Sequence, residues 1–112
     1  MEISFKQINS VSVISIEGEL DAKSAPELTS FFNRQFSEGH VNFVADLHGL
    51  VYSSSAGIRF FLGSARDARQ KGGDLRIAAV QPQVEKIFKL SKFDKIVQVF
   101  LSVDEAVNSY NQ

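Results

Sequence analysis

The stretch Leu50-Val51-Tyr52-Ser53-Ser54-Ser55-Ala56-Gly57-Ile58-Arg59 decides how this chain folds. Before it lies Val41-Asn42-Phe43-Val44-Ala45-Asp46-Leu47, an apolar run of strand length. After it, Ile58, Phe61, Leu62 and Ala65 recur at i, i+3, i+4 and i+7, the period of a helix that buries one face. Three consecutive serines therefore stand where a strand hands over to a helix. Ser54 is the expected N-cap, because its hydroxyl can accept from an otherwise unpaired N–H of the first turn. Ser55 then takes the first helical position, and Ala56 and Gly57 leave the backbone around it thinly covered. A hydroxyl placed there is exposed at the positive end of the helix dipole, a favourable position for a phosphate.

Toward the N-terminus, Ile3-Ser4-Phe5-Lys6 alternates and Ile8-Asn9-Ser10 reads as a turn. Val11-Ser12-Val13-Ile14-Ser15-Ile16 is rich in β-branched residues, so a hairpin is expected. Glu17-Gly18-Glu19-Leu20-Asp21-Ala22 leads out of its second strand. Ser24-Ala25-Pro26-Glu27 has capping-box spacing, and Leu28, Phe31, Phe32 and Phe36 continue an amphipathic helix that Gly39 ends. Toward the C-terminus, the serine-headed helix runs to about Lys71, where Gly72-Gly73 stops it. Leu75-Arg76-Ile77-Ala78-Ala79-Val80 is strand-like, and Pro82 opens a helix with Val84, Ile87 and Phe88 on one face. Ile96-Val97-Gln98-Val99-Phe100 reads as a last strand. Ser102-Val103-Asp104-Glu105 is a second capping box, opening a short helix that reaches Tyr110. The order β-β-α-β-α-β-α-β-α predicts an α/β fold: a mixed, mainly parallel sheet with an N-terminal hairpin strand and about four helices. Sites in such sheets lie beyond the carboxyl ends of the strands, where both the serine stretch and Asp21 fall.

At 112 residues the chain is long enough for one core, and residues 1–112 are expected to form a single domain. With 44% hydrophobic and 22% charged residues it has the composition of a globular protein. A net charge of −1 argues against a polyanion binder, so direct contact with nucleic acid is not expected. The absence of cysteine excludes a disulfide framework and thiolate chemistry. Met1-Glu2-Ile3-Ser4-Phe5-Lys6 has no signal-peptide pattern, and no apolar run approaches the ~20 residues of a membrane span. A cytoplasmic protein without membrane insertion is the expectation.

Most catalytic chemistry fails on the residues present. A serine hydrolase needs a base beside its nucleophile, whereas His40 and His48 both read as loop residues, and Ser54-Ser55-Ala56-Gly57 lacks a G-x-S-x-G elbow. Two isolated histidines and scattered carboxylates give no metal-ligand spacing. Gly72-Gly73 is a helix stop rather than a phosphate-binding loop, and Glu17, Glu19 and Asp21 read as polar residues of a strand end. Arg59, Arg66, Arg69 and Lys71 line one helix, as a solvated face or as a docking edge for an acidic partner.

Gly18-Glu19-Leu20-Asp21, followed at a distance by Asp46-Leu47 and Ser54-Ser55-Ala56-Gly57-Ile58-Arg59, resembles the bacterial anti-sigma-factor antagonists, single-domain STAS proteins. The resemblance covers essentially the whole chain and the order of elements. It implies a non-enzymatic, cofactor-free partner switch. The unphosphorylated antagonist binds an anti-sigma factor that is also a serine kinase of the histidine-kinase-like ATPase fold, releasing the sigma factor. Phosphorylation ends that binding, and a metal-dependent serine phosphatase resets the switch. The family's phosphoserine falls on Ser55 and its strand-end aspartate on Asp21, so the implied partner-binding set is Asp21, Ser54, Ala56, Gly57 and Arg59. Many members carry an acidic residue before the phosphoserine; here Ser54 stands there as a secondary acceptor, and Ala56 replaces the second hydroxyl of the usual pair. Three readings compete. One is a STAS scaffold or regulatory subunit in a signalling assembly, secretion control or a lipid-transport complex. Another is a small hydrolase using Ser55. The plainest makes the serines a helix cap followed by small residues for close packing.

Overall fold

A computed structural model describes residues 1–111. In chain order the elements are β1 (Glu2–Ile8), β2 (Val11–Leu20), α1 (Ala25–Ser37), β3 (Asn42–Asp46), β4 (Leu50–Ser53) and α2 (Ser55–Gln70). They continue with β5 (Asp74–Ala78), α3 (Pro82–Leu90), β6 (Val99–Phe100) and α4 (Val103–Asn108), with single 3₁₀ turns at Phe93–Lys95 and Ser109–Asn111. The strands form a six-stranded sheet in the order β1-β2-β3-β5-β6, with β4 against the far half of β2. All pairings are parallel except the β1–β2 hairpin. This is the mixed, mainly parallel α/β architecture expected from the sequence.

Strand alternation divides the sheet into two unlike faces. Ile14, Ile16 and Leu20 of β2, Phe43 and Ala45 of β3, and Leu75 and Ile77 of β5 point to the main core under α1, α2 and α3. Val11, Val13, Val44 and Ala78 point the other way, onto Ala106 and Val107 of α4. The main core is rich in phenylalanine. Phe32 meets Phe43 at 5.0 Å and Phe60 at 5.1 Å between ring centroids, and Phe88 meets Phe93 at 4.5 Å. The tilted and edge-on arrangements suit the ring quadrupoles, so these pairs contribute orientation as well as buried area.

Four local details differ from the sequence expectation. β2 does not end at Ile16 but runs to Leu20, changing partner from β3 to β4 through a register shift between Gly18 and Glu19. Gly18 sits at φ +104°, a backbone state that a side chain disfavours, and such irregular positions in strands select glycine. The order expected from the sequence has no strand at residues 50–53, yet β4 forms there and delivers the serines to α2. The expected capping box at Ser24 does not form: Pro26 has no N–H to offer, and the Glu27 N–H goes to the Ser24 carbonyl at 3.1 Å. The last strand shrinks to Val99–Phe100, because Phe93–Lys95 forms a 3₁₀ turn and Val97 is buried instead of paired in a ladder.

Candidate functional site

The parallel register Leu20↔Ser53 between β2 and β4 brings the two suspected loops side by side. The Ser54 N–H donates to the Leu20 carbonyl at 2.9 Å, so the last ladder bond of this pair lies one residue from Asp21 on one side and one from Ser55 on the other. Both segments leave the carboxyl ends of neighbouring parallel strands, the place where such sheets build their sites.

The three serines occupy different chemical situations. Ser53 is 2% exposed, and its hydroxyl donates to the Ser54 carbonyl at 3.2 Å. Ser54 has the extended backbone of an N-cap and accepts from the Ala56 N–H through Oγ at 3.2 Å, as the sequence predicted. Ser55 is the first helical residue, is exposed, and its hydroxyl is bonded to no described residue. Of the three hydroxyls, Ser55 alone is both free of structural work and open to solvent. No carboxylate stands in the first turn of α2 to oppose an anion there.

Gly57 explains why the helix begins so close to the sheet. A Cβ built on it would run into Ser53 Oγ and lie 3.0 Å from Leu20 Cγ. The first turn of α2 thus rests directly on the ends of β2 and β4. Any side chain at Gly57 would lift it and carry Ser55 with it.

Asp21 is half-buried and already engaged. Its Oδ1 accepts from the N–H groups of Lys23 and Ser24, each at 3.0 Å, and lies 3.1 Å from the Ser24 hydroxyl. Ser24 Oγ accepts in turn from the Asp21 N–H at 2.9 Å. This reciprocal turn is what diverts Ser24 from capping α1. The Ser24 amide above all, helped by the Lys23 amide and the Ser24 hydroxyl, holds the Asp21 carboxyl below its ordinary value against a smaller opposing effect of burial. Oδ2 receives no hydrogen bond from the described residues.

Arg59 stands one turn beyond Ser55 on an exposed position of α2. It makes no bond to Ser55; it lines a shallow groove of about 210 Å³ between α1 and α2, with Thr29, Asn33 and Asp67 around it. The basic run along this helix is not one uniform surface. Arg69 is a strut, donating to Asp74 Oδ1 at 2.9 Å and to the Ile96 carbonyl at 2.8 Å. Lys71 lies over the Phe36 ring at 4.8 Å.

Neither histidine reaches the serines. His40 packs its ring 5.8 Å from that of Phe5, and His48 Nδ1 lies 3.0 Å from Asp46 Oδ1. That hydrogen bond, with the charge of Asp46, raises the His48 pKa above its ordinary value. Among the described residues no cluster of three or more His, Asp or Glu gathers as a metal site. No described helix is long and apolar enough to cross a membrane. The sequence reading overlooked Val51 and Tyr52, which are 48% and 44% exposed on β4 beside the serines. Apolar residues just before a cap were the available signal, but they read equally well as core.

Residues 2–106 match the STAS domain family. BtrV of Bordetella bronchiseptica, assigned to the anti-sigma factor antagonists, is 29% identical over 110 residues, spanning 98% of this chain and 95% of that protein. An anti-sigma factor antagonist from Mycobacterium paratuberculosis superimposes with a TM-score of 0.90 at 21% identity, over 99% of this chain and 94% of its own. The anti-sigma factor antagonist SpoIIAA superimposes in its unphosphorylated form with a TM-score of 0.84 at 19% identity, over 98% and 96% of the two chains. Its phosphorylated form gives 0.74 at 18% identity, over 97% and 99%. The family match thus runs from β1 into α4, and the whole sheet with its helices recurs in these structures: the chain belongs to the STAS domain family.

Proposed function

We propose that this protein is an anti-sigma-factor antagonist, a non-enzymatic partner switch governed by phosphorylation of Ser55. The observation that carries this reading is the division of labour among the serines: Ser53 is buried, Ser54 caps the helix, and Ser55 is exposed with a hydroxyl bonded to no described residue. The unphosphorylated form binds an anti-sigma factor that is also a serine kinase, and so frees a sigma factor in the cytoplasm. Asp21, Ser54, Ala56, Gly57 and Arg59 surround the phosphoacceptor as the docking surface, and a metal-dependent phosphatase restores it. That relatives carry the antagonist name, and that SpoIIAA has been solved with and without phosphate, supports the same reading.

The fold tolerates the modification while the interface does not. A phosphate adds a charge of about −1.5 to −2 at neutral pH. At the start of α2 the helix dipole favours that charge by ~0.3–1 kcal/mol. Against a docked partner, the same charge left unpaired costs several kcal/mol, on the order of the loss found when one member of a buried ion pair is removed. Phosphorylation therefore dissociates the complex without melting the helix.

The test is co-purification from native cells with tagged wild type and Ser55→Asp, each read by mass spectrometry, together with phosphosite mapping of wild type and Ser55→Ala. Recovery of a kinase-fold ATPase with wild type, reduced with Ser55→Asp, is the expected result, with phosphate on Ser55. Phosphate mapped to Ser54 instead would move the switch to the cap. A scaffold or transporter subunit recovered equally with both forms would replace this function with a role in a non-sigma pathway.

A further inference from the structure

We propose that the free edge of β1 pairs antiparallel with β1 of a second copy of this chain, in the register that sets Glu2 opposite Lys6. β1 is the outermost strand of the sheet, seven residues long, and five of those residues are exposed. It carries neither proline nor a register shift against β2, two of the devices that usually blunt a sheet edge.

The outward backbone groups follow from the hairpin. The Gly18 N–H donates to the Gly49 carbonyl, so the even-numbered backbone groups of β2 face away from β1. The odd-numbered Val11, Val13, Ser15 and Glu17 therefore bond to their register partners Ile8, Lys6, Ser4 and Glu2. A two-residue loop at Asn9-Ser10, flanked by the pair Ile8↔Val11, agrees with this phase. The N–H and C=O groups of Ile3, Phe5 and Gln7 are consequently the ones that point outward.

A two-fold pair can use those groups in few registers. Centring it on Ser4 makes Ile3↔Phe5 of the second copy the hydrogen-bonded pairs, with Ser4↔Ser4 at the axis and Glu2↔Lys6 twice, once on each side. Both charged residues of β1 are then matched, and Phe5, 40% exposed beside Phe31, gains cover. Other registers lose this fit. Shifting one way sets Phe5 against Phe5 and Glu2 against Ile8; shifting further sets Lys6 against Lys6. Opposite charges directly across a ladder are favourable and like charges unfavourable, so charge selects the Ser4-centred register. The serine sites are left open: each lies about 20 Å along β2 from the axis, and the two-fold points them in opposite directions.

Sedimentation equilibrium of the purified chain tests this, with Glu2→Lys and Lys6→Glu alone and mixed. The expected result is a reversible wild-type dimer at concentrations up to ~1 mM, weakened at least ~10-fold in each variant and regained when the two variants are combined. Each variant alone faces like charges, whereas the mixture restores two opposite pairs per interface. A chain that stays monomeric to that concentration overturns the proposal. So does a dimer indifferent to the substitutions, or one lost in the variants and not regained on mixing. Circular dichroism of each variant confirms that the fold is retained, since both side chains are exposed.

Discussion

Ser54 N–H donates to the Leu20 carbonyl at 2.9 Å, and through that one bond the cap of α2 and the turn around Asp21 hold a fixed mutual position. The Ser54 side chain adds the second half of the joint by accepting from Ala56 N–H. Ser54→Ala is expected to lower stability by about 1 kcal/mol, and Ser54→Gly by only a few tenths, because the main-chain bond to Leu20 survives both. Urea unfolding of the three proteins measures it. Equal losses for alanine and glycine would mean that the hydroxyl does not cap.

Gly57→Ala places a methyl group into Ser53 Oγ and against Leu20. A loss of about 1–3 kcal/mol is expected from overpacking at this junction. Ser53→Ala removes the nearest obstacle, so the double variant should lose less than the sum of the two single losses. A double-mutant cycle by chemical denaturation reads that coupling, and strict additivity would place the strain elsewhere.

Ser55→Asp is expected to change stability by no more than about 0.5 kcal/mol, since the residue is exposed and the charge falls at a helix N-terminus. Thermal unfolding checks this independently of any partner. A large fall in midpoint would show a packed side chain.

The Tyr110 hydroxyl lies 2.7 Å from the Phe43 carbonyl and 2.9 Å from the Asp74 carbonyl, tying the C-terminal turn to β3 and β5. Tyr110→Phe keeps the ring beneath the Arg76 guanidinium but removes the one hydroxyl proton that the two carbonyls share. A loss of about 1–2 kcal/mol is expected by urea unfolding.

His48 gives a pH signature. Its folded pKa is raised above 6.5 by Asp46, so its contribution is complete below pH 6.5 and disappears as pH rises through the folded value. Wild type should therefore lose stability over the range just above pH 6.5 relative to His48→Gln, modestly, because the ring is largely exposed. Parallel pH profiles would assign the dependence to another group.

The architecture was legible because periodicity is strong where burial is strong. Phe43, Val44 and Ala45 of β3 and the Ile58–Ala65 face of α2 announce themselves, and so does the cap at Ser54. β4 was not legible. It is four residues long, shows a buried-exposed-exposed-buried pattern with no alternation, and pairs with β2 only beyond a register shift that depends on distant residues. Ser24 misled for a local reason: capping spacing was present, but Asp21 three residues earlier offered its hydroxyl a closer exchange. Sequence placed Asp21 and Ser55 at strand ends, and the Leu20↔Ser53 register made them neighbours. Arg69 looked like one more surface charge until Asp74 and the Ile96 carbonyl met it in space.

The chain has two tyrosines and no tryptophan, so its ultraviolet emission belongs to tyrosine. Tyr110 is largely buried under a guanidinium, and burial raises its phenol pKa above the ordinary value. Tyr52 stands half in water, three residues from Ser55. The molecule thus carries an optical reporter beside Ser55: quenching or polarisation of the accessible phenol reads events at that strand end without any label.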